Sequence, residues 1–352
     1  MRRTDLLNAL GAFALVAVVV LGGTVAVGTL LSGPDDTSSP DASAFTSDSL
    51  PASPIADDGT ITAPGGEPKT VVVDRSHANA VEKAGIQPLV DALVSQGHTV
   101  RFYSGSTDSQ SFGGLSDQSG ESAFNDTLRS ADAFVVANPA TEYTAEEIAG
   151  VEAFTDAGGR VLLLADPLGS SSSSGTSLPA PLGSGSTASA TPGQPTNLAA
   201  QFDVSFDGGY LYDMDENANH YRSVYASGAG DAPLTADAGR VVLQGAAGLT
   251  TGPDATPLFR TESTRLSSTR RAGNYTVAAR SGNLTAVGDT DFLAPETATV
   301  ADNERLVGNV AAFLVTGEKA PDAPTAESQA GGGPGSVVSP PSANTTTTSA
   351  SP

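Results

Sequence analysis

The segment Thr70-Val71-Val72-Val73-Asp74-Arg75-Ser76-His77 decides the fold class. Thr70 to Val73 is an unbroken β-branched run, the pattern of a strand covered on both faces. Downstream, Gln87 to Gln96 carries Leu89, Val90, Leu93 and Val94 at helical spacing, and Gly97 stops it as a C-terminal glycine does. Thr99 to Tyr103, Ala133 to Ala137 and Arg160 to Ala165 read as further strands. Between the last two, Thr144 caps a helix with Glu146 and Glu147 in its first turn. That helix points Ile148, Val151 and Phe154 inward and ends at Gly158-Gly159. Strands joined by helical crossovers imply an α/β domain with a mostly parallel sheet and helices on both faces.

The second half continues this pattern. Asn197 to Gln201 is a short helix before the strand Val204-Ser205-Phe206, and Arg240 to Leu243, Tyr275 to Ala279 and Leu284 to Val287 are strands. Gly288-Asp289-Thr290-Asp291 breaks the last of these. Asp302 then caps a final helix carrying Leu306, Val307, Val310, Phe313 and Leu314. Asp207 to Gly239 yields no element. The reading is one α/β domain over residues 69–317, interrupted by a disordered Ser/Gly-rich insertion at about 170–195.

The flanks are of different character. Residues 1–5 form a short amino-terminal tail with Arg2 and Arg3, and residues 6–32 run without charge. A helix of that length spans the ~30 Å hydrocarbon core, so the expectation is a single-pass signal anchor. The arginines before it, and Asp35 and Asp36 after it, orient the bulk of the chain outside the cell. Residues 33–68 read as a disordered stalk and 318–352 as a disordered Thr/Pro-rich tail. The whole chain carries 39 Asp and Glu against 17 Lys and Arg, a formal charge of -22. Such a surface repels nucleic acid and suits concentrated salt, the balance expected of a halophilic archaeal protein. The absence of cysteine excludes disulfides, thiolate nucleophiles and cysteine-ligated metal sites. Sequons stand at Asn125, Asn274, Asn283 and Asn344, candidates for glycosylation on an outward-facing domain.

Three separated landmarks carry a family resemblance over roughly residues 69–317. They are Val71-Val72-Val73-Asp74-Arg75-Ser76-His77, Phe202-Asp203-Val204-Ser205-Phe206 before Gly208-Gly209-Tyr210, and Val287-Gly288-Asp289-Thr290-Asp291-Phe292-Leu293 before Asp302-Asn303. In this order they resemble the uncharacterised domain of unknown function 4350 family. The resemblance implies a flavodoxin-like fold of the class I glutamine amidotransferase type. It also implies a membrane setting akin to the periplasmic parts of gliding-motility ABC transporters. It implies no reaction. An amidotransferase needs a cysteine on a strand-to-helix turn, and this chain has none.

In open α/β sheets ligands bind beyond the carboxyl ends of the strands. Asp74, His77, Asn138, Asp166, Asp289 and Asp291 all fall at such ends and are the candidate ligand-binding residues. Carboxylates with one histidine suit a divalent cation; alternatively, the same residues close turns and cap helices. No resident cofactor is otherwise expected, and no catalytic residue is assigned. Asp213, Asp215 and Glu216 near His220 partly match a calcium loop but lack its glycine and distal glutamate. Arg260, Arg265, Arg270, Arg271 and Arg280 concentrate positive charge, either to pair with the protein's own carboxylates or to dock an acidic partner. The leading expectation is a membrane-anchored extracytoplasmic binding or scaffold domain serving a transporter or envelope complex, with a protein partner. A metal-assisted extracellular hydrolase using Asp74, His77 and the strand-end aspartates is the alternative, and a structural surface glycoprotein a third.

Overall fold

The computed structural model describes residues 59–80, 83–105, 119–167 and 193–324, all within one compact unit. The anchor at 6–32, most of the stalk, the bulk of the 170–195 insertion, the tail past 324 and the Asn344 sequon lie outside these residues. Among the described residues no helix is long and apolar enough to cross a membrane.

The first half folds as β1 (Thr70–Asp74), α1 (Gln87–Ser95), β2 (Thr99–Tyr103), α2 (Ser119–Arg129), β3 (Ala133–Ala137), α3 (Ala145–Asp156) and β4 (Arg160–Leu164). After a short α4 (Thr196–Ala200) come β5 (Val204–Tyr212), β6 (Ser223–Gly228), β7 (Arg240–Gln244), β8 (Ala247–Thr251) and β9 (Ala255–Thr261). The chain closes with β10 (Thr264–Leu266), β11 (Ala272–Gly273), β12 (Thr276–Ser281), β13 (Leu284–Val287) and α5 (Asn303–Val315).

These strands make a mixed sheet. Its central part is parallel in the order β2-β1-β3-β4-β13, and antiparallel β12, β8, β5, β10 and β11 extend it. A branch through β9 carries β6 and β7.

Side chains on successive strand residues point to opposite faces, which explains why β1, β3, β4 and β13, covered on both sides, are almost wholly apolar. By contrast β2, at the end of the sheet, exposes Thr99 and Arg101. Val71, Val73, Val135, Leu162 and Leu164 share one core with Leu89 and Leu93 of α1 and Leu306, Val310 and Leu314 of α5. Val72, Phe134, Val136, Val161 and Leu163 share the other with Phe124 and Leu128 of α2 and Val151 and Phe154 of α3. Each such fully buried side chain stabilises the fold by roughly 1.5–3 kcal/mol before chain entropy is counted.

Several expectations are corrected. The domain starts before residue 69: Ala63 lies in the core and His98 Nε2 reaches the Pro64 carbonyl at 2.8 Å. It also runs past 317, because Ala320 N–H donates to Ala157 O at 2.7 Å and Arg129 Nε to Pro324 O at 2.7 Å. The end of the expected insertion is built in, with Gln194 Nε2 donating to Asp166 O at 3.3 Å. The unassigned stretch 207–239 contains the end of β5 and all of β6. Asp302 makes no side-chain cap to α5; its Oδ2 accepts the Arg240 N–H at 2.7 Å instead, so it ties the helix start to β7. Gly288 does more than make a turn, since a Cβ there would lie 2.1 Å from the Ala247 carbonyl oxygen.

Candidate functional site

Neighbouring parallel strands bring five of the six sequence candidates to one edge of the sheet, β1 contributing Asp74, β3 Asn138, β4 Asp166 and β13 Asp289 and Asp291; His77 follows in the turn after Asp74. The side chains then divide into two groups.

The first group forms around Asp74, the last residue of β1, with only 1% of its surface exposed. Its Oδ1 accepts the Ser76 N–H at 2.9 Å and the Ser76 hydroxyl at 2.6 Å, which fixes the turn. Its Oδ2 accepts the Tyr143 hydroxyl at 2.5 Å and His77 Nδ1 at 2.8 Å. On the other side of the ring, His77 Nε2 meets Glu147 Oε2 at 3.3 Å. That carboxylate also closes the capping box of α3, accepting Thr144 N–H at 2.9 Å. Tyr143 stacks on the imidazole, with ring centroids 3.8 Å apart.

Charge explains this arrangement. Burial favours the neutral imidazole, but the bonds to Asp74 and Glu147 outweigh it and raise the His77 pKa to about 9. Burial likewise opposes ionisation of Asp74 and Glu147, yet bonding to His77 outweighs it and holds both below their ordinary values. The Tyr143 phenol is pushed well up by burial and by Asp74. An imidazolium therefore sits between two carboxylates. With both ring nitrogens protonated it has no lone pair for a metal and cannot accept a proton. Ser76 lies 3.0 Å from His77 Nδ1, but its hydroxyl is bonded to Asp74 and the ring offers it no base.

The second group is centred on Asp166, just after β4. Its Oδ1 accepts Thr290 N–H at 2.8 Å; its Oδ2 accepts the Thr290 hydroxyl at 2.7 Å and Asn138 Nδ2 at 2.6 Å. Asn138 Oδ1 accepts the Asp166 N–H at 2.7 Å in return. Asn138 has φ +45°, a left-handed conformation that asparagine tolerates better than most residues. Asp289 is fully buried and accepts Gln244 N–H at 3.1 Å and Asp291 N–H at 3.0 Å. Burial, then the charges of Asp291 and Asp166, raise its pKa well above the ordinary value. Asp291 is raised to about 6, by burial and by Asp166 and Glu296.

The five-residue cation site built from Asp74, His77, Asp166, Asp289 and Asp291 is thus not gathered. Among the described residues no cluster of three or more His, Asp or Glu is placed to hold a metal ion. Tyr143, Glu147, Ser76, Thr290 and Gln244 belong to the site and were not among the sequence candidates. Glu147 was visible only as a capping residue, since its partner His77 lies 70 residues earlier.

The remaining candidates separate similarly. Asp213 Oδ1 accepts the N–H groups of Asp215 and Glu216 at 2.8 and 2.9 Å, an Asx turn, and Glu216 pairs with Arg240. Of the sequons, Asn125 and Asn283 are half-buried, and Asn283 is bonded to Thr155 O and Arg160; Asn274 is exposed. The five arginines do not form one face. Arg260 lines a cavity of about 100 Å³ with Asp213, Glu216, Arg240 and Glu262, Arg280 lies over Phe313 as does Arg160, and the other three occupy the β10–β11 hairpin. Pairing with the protein's own carboxylates is not what the structure contains: among the described residues none of the five makes an ion pair.

No family model and no curated protein matches this chain. Among solved structures it is similar to the mmIFT52 N-terminal domain, at 14% identity and a TM-score of 0.50, covering 68% of this chain and 95% of that one. A glutamine amidotransferase from Thermotoga maritima matches at 11% identity and TM-score 0.38, covering 71% and 97%. Alpha-L-fucosidase isoenzyme 2 from Paenibacillus thiaminolyticus matches at 15% identity and TM-score 0.36, covering 67% and 31%. The first likeness supports the mixed α/β fold and nothing about activity.

Proposed function

We propose that this chain is a membrane-tethered extracytoplasmic binding or scaffold domain with no chemistry of its own, serving a membrane complex. The observation that carries this reading is the state of the strand edge. His77 has both nitrogens bonded to carboxylates, and Asp74, Asp166 and Asp289 each accept protein hydrogen bonds on both carboxylate oxygens, from their own turns and from neighbouring elements of the sheet edge. Groups committed in this way hold a shape and do not turn over substrate. The amidotransferase-like fold implied by the resemblance, flavodoxin-like in its parallel part, then serves as a platform without the nucleophile. The uncharged run at 6–32, with the flanking charges, supports the tether and its orientation.

The experiment is protease treatment of intact source cells followed by detergent extraction. Cleavage of the domain in unbroken cells, with a defined protein co-purifying from solubilised membranes at fixed stoichiometry, is the expected result. Full protection from protease, or recovery in the aqueous fraction without detergent, would contradict the tether; a solitary protein would contradict the scaffold.

A further inference from the structure

Between residues 255 and 288 the sole carboxylate is Glu262, against Arg260, Arg265, Arg270, Arg271 and Arg280. In a chain of formal charge -22 a local surplus of positive charge should gather carboxylates, yet among the described residues none has paired with these five arginines. Arg265, Arg270 and Arg271 are all exposed and stand on one short hairpin, β10–β11.

That hairpin is held firmly. Leu266 N–H donates to Arg271 O at 3.1 Å, Arg265 Nη1 to Arg270 O at 3.3 Å, and the Tyr275 hydroxyl to Arg271 O at 2.8 Å. Ser267 N–H anchors it to Tyr210 O at 2.8 Å. Arg270 itself sits at φ +56°, in the left-handed region where glycine or asparagine would be free of strain. A long cationic side chain is kept at a position whose backbone favours another residue. Strain of this kind points to a role for the side chain. β11 also lies at the end of the sheet path, and among the described strands it pairs only with β10, so its outer edge has no strand partner.

We propose that the β10–β11 hairpin is a docking surface for an acidic polypeptide segment of a partner protein, whose Asp and Glu carboxylates are received by Arg265, Arg270 and Arg271. Guanidinium is the cation suited to this role, because it is weakly hydrated and offers a planar fork that matches a carboxylate with two hydrogen bonds. A short acidic segment fits three arginines. A nucleic acid or an anionic bilayer would extend beyond the hairpin onto a surface of its own sign. The inference names the partner chemistry for the binding role proposed above, and the binding itself does not depend on where in the cell the domain sits.

The test uses the full chain in neutral detergent, at about 0.5 M NaCl to screen the overall negative charge. The probe is a fluorescent decapeptide of alternating Asp and Glu, beside its Asn/Gln counterpart, a DNA oligonucleotide and phosphatidylglycerol vesicles. Binding of the acidic peptide alone is expected, weakened at least about tenfold when Arg265→Gln, Arg270→Asn and Arg271→Gln are combined. Arg270→Asn alone suits the positive φ, keeps the hairpin folded and should weaken binding severalfold. No binding of the acidic peptide, undiminished binding by either variant, or tighter arginine-dependent binding of DNA or vesicles would each overturn the proposal. None of these outcomes bears on the membrane tether, which the protease experiment tests separately.

Discussion

At the scale of single residues, His77 and Asp291 make stability depend on pH in the same direction. The folded His77 ring keeps its proton to about pH 9, whereas an unfolded histidine releases it near 6.5. The stabilisation is therefore complete below about 6.5 and is lost as pH rises through 9. Replacing His77 with Gln should lower the unfolding free energy by on the order of 3 kcal/mol at about pH 6, and by much less at about pH 9.5. Denaturant titrations at the two pH values check this. Asp291 is raised from 3.8 to about 6, so the fold disfavours its ionised form, and a cost grows as pH climbs through that range. Its side chain is partly exposed, which discounts the effect. Asp291→Asn should stabilise by on the order of 1 kcal/mol at about pH 7.5 and have no effect near pH 3.5, measured as the shift in thermal midpoint.

At the scale of elements, long-range side-chain ties join pieces that the sequence shows only separately. Asn303 is fully buried at the start of α5. Its Oδ1 accepts Val242 N–H at 2.9 Å, and its Nδ2 donates to the carbonyls of Val242 and Thr297, both at 2.9 Å. Asn303→Leu would orphan those backbone groups and should destabilise the protein by about 3 kcal/mol or more. Chemical denaturation of the variant reads this directly. β1 to β4, α1 and α3 were legible because each is a local pattern: an apolar run, a helical stripe, a glycine stop, a capping box. β6 and the extension of β5 were not, because Asp207 to Gly239 mixes Gly, Asp and Ser with short apolar pairs and gains its strands only by pairing with β7, β8 and β9. The site was half legible on the same grounds. Asp74 and Asp166 stand where a strand visibly ends, while Tyr143 reaches Asp74, Glu147 reaches His77 and Gln244 reaches Asp289 only through the folded sheet.

At the scale of the whole molecule, a formal charge of -22 is spread over a surface relieved by few cations. Self-repulsion should destabilise the fold in dilute buffer and be screened as salt shortens the Debye length from roughly 10 Å at 0.1 M to roughly 3 Å at 1 M. The thermal midpoint should rise monotonically across that range of NaCl, and a flat or falling series would contradict the salt-adapted reading. The internal cation between Asp74 and Glu147 is shielded from bulk ions, so the pH effect of His77 should persist in high salt when the surface term has been screened out.

The strand-edge residues bind one another in two groups, and His77 is the fixed cation of the first, between Asp74 and Glu147. The most direct measurement of that state is ¹⁵N-detected NMR of the histidine rings at about pH 7.5, before and after adding Zn²⁺. The His77 ring should carry protons on both nitrogens, and its signals should stay in place when the metal is added. A neutral His77 ring, or one whose signals shift with one equivalent of metal, would contradict the committed strand edge and the non-catalytic role built on it.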